Sequence, residues 1–136
     1  MSRRSRSREF ALQILYQDDV NPGEDLVVAE PYLRSRLNKD DLLEFSLSLV
    51  SGVRRNREEL DELLNRVAEN WTLQRMAVTD RNVLRIGAYE ILYTTTPVRV
   101  VLNEAVELAK RFGSRQSAQF VNGVLDRVLS ECGRQE

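Results

Sequence analysis

The chain is predicted to be all-α, a compact bundle of about seven helices joined by short loops. Apolar residues recur three and four positions apart along most of its length, the period of a helix with one buried face. No stretch alternates apolar and polar residues as a half-buried strand would. Turn formers separate the stripes, most clearly at Asn21-Pro22-Gly23. With 136 residues the chain is long enough for one cored domain and too short for two ordinary ones, so residues 1–136 are read as a single domain.

A first helix is expected from about Ser5 to Asp19, where Phe10 and Ile14, and Ala11 and Leu15, share a buried face. Residues 25–37 form a weaker second helix, with Pro31 near its start or kinking it. Leu42, Phe45, Leu49 and Val53, with Leu43, Leu47 and Val50, trace a third from Asp40 to Arg54. Asn56 reads as a break or cap, and Leu60, Leu63, Leu64, Val67 and Trp71 then continue a fourth stripe. Thr79 reads as the N-cap of a fifth helix that turns Leu84, Ala88, Ile91 and Leu92 inward. Pro97 opens a sixth, where its missing amide is not needed. That helix buries Val101, Ala105, Leu108 and Phe112 and ends at Gly113 as a left-handed cap. A seventh, from Ser117 to Glu131, buries Val121, Val124, Leu125, Val128 and Leu129. Leu49-Val50-Ser51-Gly52-Val53 faintly echoes Phe120-Val121-Asn122-Gly123-Val124. A mid-helix glycine costs up to about 1 kcal/mol against alanine, so close helix approach is expected at both.

Composition narrows the function. There is no histidine and only one cysteine, Cys132. Internal disulfides, Cys/His zinc sites and histidine-based nucleophile or acid–base pairs are therefore excluded. No cofactor is expected, and no metal. No apolar run approaches the roughly 20 residues that span a bilayer. Glu9, Asp18 and Asp19 follow the arginine-rich start too soon for a transit peptide, so the chain is read as cytoplasmic with no membrane contact. The net charge of −1 does not advertise nucleic-acid binding, but its distribution does. Arg3, Arg4, Arg6 and Arg8 precede the first acidic residue, Glu9, and such a local basic patch attracts phosphate.

Alternating with serines, these arginines form a segment over residues 1–8 that is either a mobile arm able to order on a partner or a solvated terminus. Tyr16 and Phe120 are either core rings or platforms for unpaired bases, with stacking worth about 1–3 kcal/mol per base. Asn103 and Asn122 stand in apolar stretches, where buried amides tie helix ends or neighbouring backbone together. Glu104 and Glu107 lack the third ligand of a catalytic or metal site and are read as a solvated face, with Glu107 linked to Lys110 or Arg111. Trp71, Arg75, Asp80, Arg81 and Arg85, with Glu90, suit a protein-binding surface or a surface ion-pair set with Trp71 as a lid.

Several of these stretches resemble the NusB family of bacterial transcription antitermination factors. The match lies in Pro97-Val98-Arg99-Val100-Val101-Leu102-Asn103-Glu104-Ala105-Val106-Glu107-Leu108-Ala109-Lys110-Arg111-Phe112-Gly113 and in Phe120-Val121-Asn122-Gly123-Val124-Leu125-Asp126. It continues in the central helix, Asp80-Arg81-Asn82-Val83-Leu84-Arg85-Ile86-Gly87-Ala88-Tyr89-Glu90-Ile91-Leu92, and in Ala11-Leu12-Gln13-Ile14-Leu15-Tyr16 of the first. It is weak around residues 21–40. The resemblance implies two three-helix sub-bundles and a non-catalytic adaptor. With the ribosomal protein NusE, that adaptor binds single-stranded boxA RNA of nascent ribosomal transcripts and helps the RNA polymerase antitermination complex read through terminators. It implies Arg4, Arg6 and Arg8 as phosphate contacts, Tyr16 and Phe120 beside the RNA path, and Trp71, Arg75, Asp80, Arg81 and Arg85 toward NusE. Gln116 and Gln119 stand where some members carry an acidic residue and a lysine. Both can bond a base edge, and neither supplies charge to phosphate. A NusB-like domain also accompanies some ribosomal RNA methyltransferases, and a structural role in ribosome assembly is the other alternative. No Gly-rich cofactor segment is present, so the free-standing adaptor is preferred. Monomer and homodimer both stay open.

Overall fold

The structure is a computed structural model that describes residues 3–22 and 28–134. It contains helices α1 (Ser5–Val20), α2 (Ala29–Arg36), α3 (Asp40–Arg55), α4 (Arg57–Val67), α5 (Val78–Tyr93), α6 (Val98–Phe112) and α7 (Ser117–Cys132), with a short 3₁₀ turn at Leu73–Arg75. No strand occurs among the described residues. Helix α1 packs on α3 and α5, and α2 closes over α3. Helices α5, α6 and α7 pack on one another as the second group, and α4 spans α5 and α7. Leu33, Leu49, Leu60, Leu64, Leu84 and Leu125 are fully buried between these layers.

Local chemistry accounts for most boundaries. Asp40 and Asp41 open α3 and Arg54 and Arg55 close it, matching the partial charges at the two helix ends. Helix α4 repeats the arrangement with Glu58 and Glu59 at its start and Arg66 in its last turn. Asn56 serves the end of α3, donating from Nδ2 to the Gly52 carbonyl at 2.8 Å. Pro31 falls in the first turn of α2, where a helix has no use for its amide. Residues 25–27, expected in that helix, lie outside the described residues.

Several expected details differ. Glu69 takes a left-handed φ of 35°, so α4 stops and Trp71 leaves its stripe, 49% exposed. Thr79 does not cap α5: the helix begins one residue earlier, behind Ala77, with no side-chain cap bond. Gly113 is extended rather than left-handed (φ −99°, ψ −167°). It is needed because a Cβ would strike the Ser117 side chain. The left-handed cap belongs to Gly133 after α7, with φ 74°. Leu92 and Phe112, expected inside, are 37% and 38% exposed, since each lies in the last turn of its helix. Asn103 and Asn122 are exposed and bury no amide.

The two glycines of the echo also part ways. At Gly52 of α3 a methyl group would overlap the Tyr89 ring of α5, whereas at Gly123 nothing lies within 4 Å. Gly52→Ala should therefore lower unfolding free energy by about 1–3 kcal/mol through overpacking. Gly123→Ala should raise it by up to about 1 kcal/mol through helix propensity alone. Urea unfolding of both variants measures the contrast.

Candidate nucleic-acid and partner interface

The arginine-rich start is helical from Ser5, and the helix sorts its residues by face. Ser5, Ser7, Arg8 and Glu9 turn inward, while Arg4 and Arg6 stay exposed. Ser5 Oγ donates to both Glu104 carboxylate oxygens at 2.7 and 2.9 Å. Ser7 Oγ donates to the Leu42 carbonyl and Ser46 Oγ to the Ser7 carbonyl, at 2.9 and 2.8 Å. Residues 1 and 2 of the expected arm lie outside the described residues, and residues 5–8 belong to α1 rather than to a mobile arm. Arg4 lies 4.2 Å above the Phe45 ring and Arg6 5.1 Å above Phe10. Those contacts hold both guanidiniums at the surface.

Arg8 is not a surface phosphate contact. It is 1% exposed and donates from Nε and Nη2 to the two Glu90 oxygens, each at 2.8 Å. Its Nη1 stands 3.4 Å from Glu104 Oε1. A charge so far from water requires such partners, which is also why Glu104 is buried rather than on a solvated face. Glu107 does reach Lys110, at 3.8 Å.

A second charged cluster surrounds Asp19. Arg57, Arg81 and Arg85 approach its carboxylate at 2.9, 2.7 and 2.8 Å, and Asn82 Nδ2 donates to it at 2.9 Å. Burial pushes the carboxyl upward, but the bonds from Arg81, Asn82 and Arg85 and the charge of Arg85 outweigh it and lower the pKa to about 2. Burial likewise lowers Arg85, yet bonding to Asp61 and the charges of Asp61 and Asp19 raise it above its ordinary value. Arg85 bonds Asp61 through Nε and Nη2 at 2.7 and 3.0 Å. Arg81 and Arg85 are thus committed to the interior, and the protein-facing role expected of them does not fit their geometry. Asp19, the hub, was missed because a carboxylate at a helix end reads as solvated.

The remaining candidates gather in two grooves. One, of about 400 Å³, is lined by Trp71, Arg75, Asp80, Ser114, Gln116 and Phe120 among others. Trp71 meets Phe120 edge-to-face with ring centroids 6.3 Å apart. Ser117 Oγ accepts from the Ser114 amide at 2.8 Å and so shapes the loop that carries Gln116. Asp80 is 9% exposed, and its Oδ1 is buried with no hydrogen-bond partner among the described residues. The residues expected toward RNA (Gln116, Phe120) and those expected toward a protein (Trp71, Arg75, Asp80) therefore share one groove. Gln119 is exposed nearby in sequence but does not line it. Tyr16, 37% exposed, lines a separate groove of about 460 Å³ with Gln13, Gln17, Tyr32, Thr79 and Phe112.

Helices that spend their ionic groups on holding themselves together, and leave aromatic grooves and surface guanidiniums outside, define a binding module rather than a catalyst. The sequence profile of the NusB family matches residues 5–130, and the chain belongs to that family of non-enzymatic transcription antitermination proteins. It is 47% identical over 130 residues to the transcription antitermination protein NusB of Anaeromyxobacter dehalogenans, covering 95% of this chain and 92% of that one. The Myxococcus xanthus protein of the same name is 44% identical over 133 residues, covering 94% and 95%. T. maritima NusB superposes with a TM-score of 0.84 at 36% identity, over 96% of this chain and 92% of that one. NusB solved with NusE and double-stranded RNA gives a TM-score of 0.84 at 26% identity, over 96% and 99%.

Two outcomes follow from the ionic clusters. Arg8→Met should cost about 3–5 kcal/mol in urea unfolding, because it strands buried Glu90, whereas Arg4→Ala at the surface should stay within about 0.5 kcal/mol. Because the folded pKa of Asp19 lies below the ordinary 3.8, its contribution to stability is complete above that value and is lost as pH falls toward about 2. Asp19→Asn should flatten that limb of a stability–pH curve followed by circular dichroism.

Proposed function

We propose that this chain is a cytoplasmic, non-catalytic RNA-binding adaptor that holds single-stranded boxA-type RNA together with NusE within the RNA polymerase antitermination complex. The observation that carries the reading is the Trp71–Phe120 groove, where two partly exposed rings meet beside the side-chain amide of Gln116. Rings offer stacking faces to any unpaired base, and the polar groups beside them reach its edge. Arg4 and Arg6 supply the phosphate charge, with Tyr16 and Gln119 as further RNA contacts.

Trp71, Arg75 and Asp80 form the NusE side of the same groove. A shared boundary makes the two ligands help each other, since each one holds in place the surface that the other completes. The likeness to NusB solved with NusE and double-stranded RNA supports this arrangement. So does membership of a family named for antitermination. No helix among the described residues is long and apolar enough to cross a membrane.

The test is fluorescence anisotropy with a labelled boxA-type RNA, with and without NusE, at two salt concentrations. Binding should be salt-dependent and tighter with NusE. Arg4→Ala with Arg6→Ala should reduce the slope of log affinity against log salt by about 1.4, two single-strand phosphate contacts. Phe120→Ala should cost about 1–3 kcal/mol. Absence of RNA binding in the presence of NusE would overturn the proposal.

A further inference from the structure

Helix α5 is buried without a break from Asn82 to Ile91. Part of its last turn, whose carbonyls have no partners within the helix, is therefore shut off from water. Helices α2, α3, α4 and α6 carry arginine or lysine in their last turns, where a cation suits the partial negative charge. Helix α5 carries none. Arg134 supplies the missing cation from beyond α7, where the left-handed Gly133 (φ 74°) turns the chain. Its Nη1 donates to the carbonyls of Glu90, Ile91 and Thr94 at 3.3, 3.0 and 3.3 Å, and its Nη2 donates to that of Thr96.

The loop held in this way leads to the first turn of α1. Thr94 Oγ1 donates to the Glu90 carbonyl at 2.7 Å and lies 3.2 Å from Thr96 Oγ1. Thr96 Oγ1 in turn donates to Glu90 Oε1 at 3.3 Å. That carboxylate oxygen also accepts from Arg8 Nη2. Arg8 lies 4.9 Å from the centre of the Phe45 ring, and Arg4 lies 4.2 Å from the same ring. Two guanidiniums share one ring because Glu90 and Glu104 offset the charge of Arg8. An unbroken series of contacts thus runs from Arg134 to Arg4, one of the exposed cations assigned to phosphate.

We propose that Arg134 is a positioning residue for RNA binding, acting through the α5–α6 loop, Glu90, Arg8 and Phe45 on Arg4. By fixing Thr94 and Thr96 it holds the Glu90 carboxylate toward Arg8. Arg8 and Phe45 then set the direction in which Arg4 leaves the surface. This inference rests on the RNA-binding reading above. It adds a residue that touches no RNA and lies far from Arg4 in the chain.

Contact alone does not transmit an effect, so the test measures coupling with a double-mutant cycle. Full-length protein, Arg134→Ala, Arg4→Ala and the double variant are titrated with labelled boxA-type RNA in the presence of NusE across a salt series. Urea unfolding verifies the fold of each. Arg4→Ala should lower the slope of log affinity against log salt by about 0.7, one single-strand phosphate contact. Arg134→Ala should lower it by a similar amount, and the double variant should lose no more than either single one. A further loss in the Arg4→Ala background would make Arg134 a phosphate contact in its own right and overturn the positioning role. An unchanged slope in Arg134→Ala would overturn it as well.

Hydrogen exchange of the protein without RNA supplies a second readout. The Thr94 amide donates to the Glu90 carbonyl and the Arg8 amide to the Arg4 carbonyl. Arg134→Ala should speed exchange at Thr94 by roughly tenfold, the effect of one charge-assisted hydrogen bond, and should speed it at Arg8 too. Faster exchange at Thr94 alone would reduce Arg134 to a local helix cap and overturn the inference. Each of these overturning results leaves the adaptor reading standing. If wild-type protein binds no RNA with NusE present, the adaptor reading fails and the positioning role with it.

Discussion

The pairing of α1 with α5 through buried charges of opposite order is the constraint on which the rest of the structure depends. Arg8, near the start of α1, meets Glu90 near the end of α5. Asp19, near the end of α1, meets Arg81 and Arg85 in the first half of α5. A reversed α1 would set Arg8 against those arginines and Asp19 against Glu90, burying like charges. Apolar stripes alone do not discriminate so sharply, because leucines and valines tolerate a shift of one turn. Buried ion pairs add little net stability over apolar packing. Here their contribution is direction and register, and Glu104 and Asp61 extend them to α6 and α4.

The functional surface is a by-product of that constraint. With Arg8 and the buried serines holding the first turn of α1, Arg4 and Arg6 emerge at a defined place. With the start of α5 held by Asp19, Asp80 is set in one groove with Trp71 and the loop that carries Gln116. Glu69 contributes the reversal that turns Trp71 outward. An adaptor has no reaction to perform, so its efficiency lies in presenting rings and guanidiniums without having to order them first. The cation–ring stacks at Phe10, Phe45, Tyr32 and Phe112 serve that end.

Much of the fold was legible because helical burial leaves a periodic signature. The boundaries of α1, α3, α6 and α7 lie within about two residues of those read from apolar spacing and turn chemistry, the usual scatter for helix ends. The site was less legible. Arg4, Arg6 and Arg8 look alike in a row, and which one is buried depends on where the helix begins and what stands opposite. Gly52 and Gly123 carry the same local pattern, yet only Gly52 faces a ring. Phe112 and Leu92 continue apolar stripes but sit in last turns that neighbouring helices cover only in part.

By itself, the sequence determined the helical class, the order and approximate length of the helices, the absence of histidine chemistry and the family. All of these are written in local spacing or in composition. Tertiary structure alone decided which charges became internal fasteners and which stayed available to ligands. It also brought Trp71 to Phe120 and Tyr32 to Phe10 from separate helices and loops. The physical reason is that burial and charge pairing depend on what lies opposite in space, and a partner some eighty residues away, as Glu90 is from Arg8, leaves no mark on the residues beside either one.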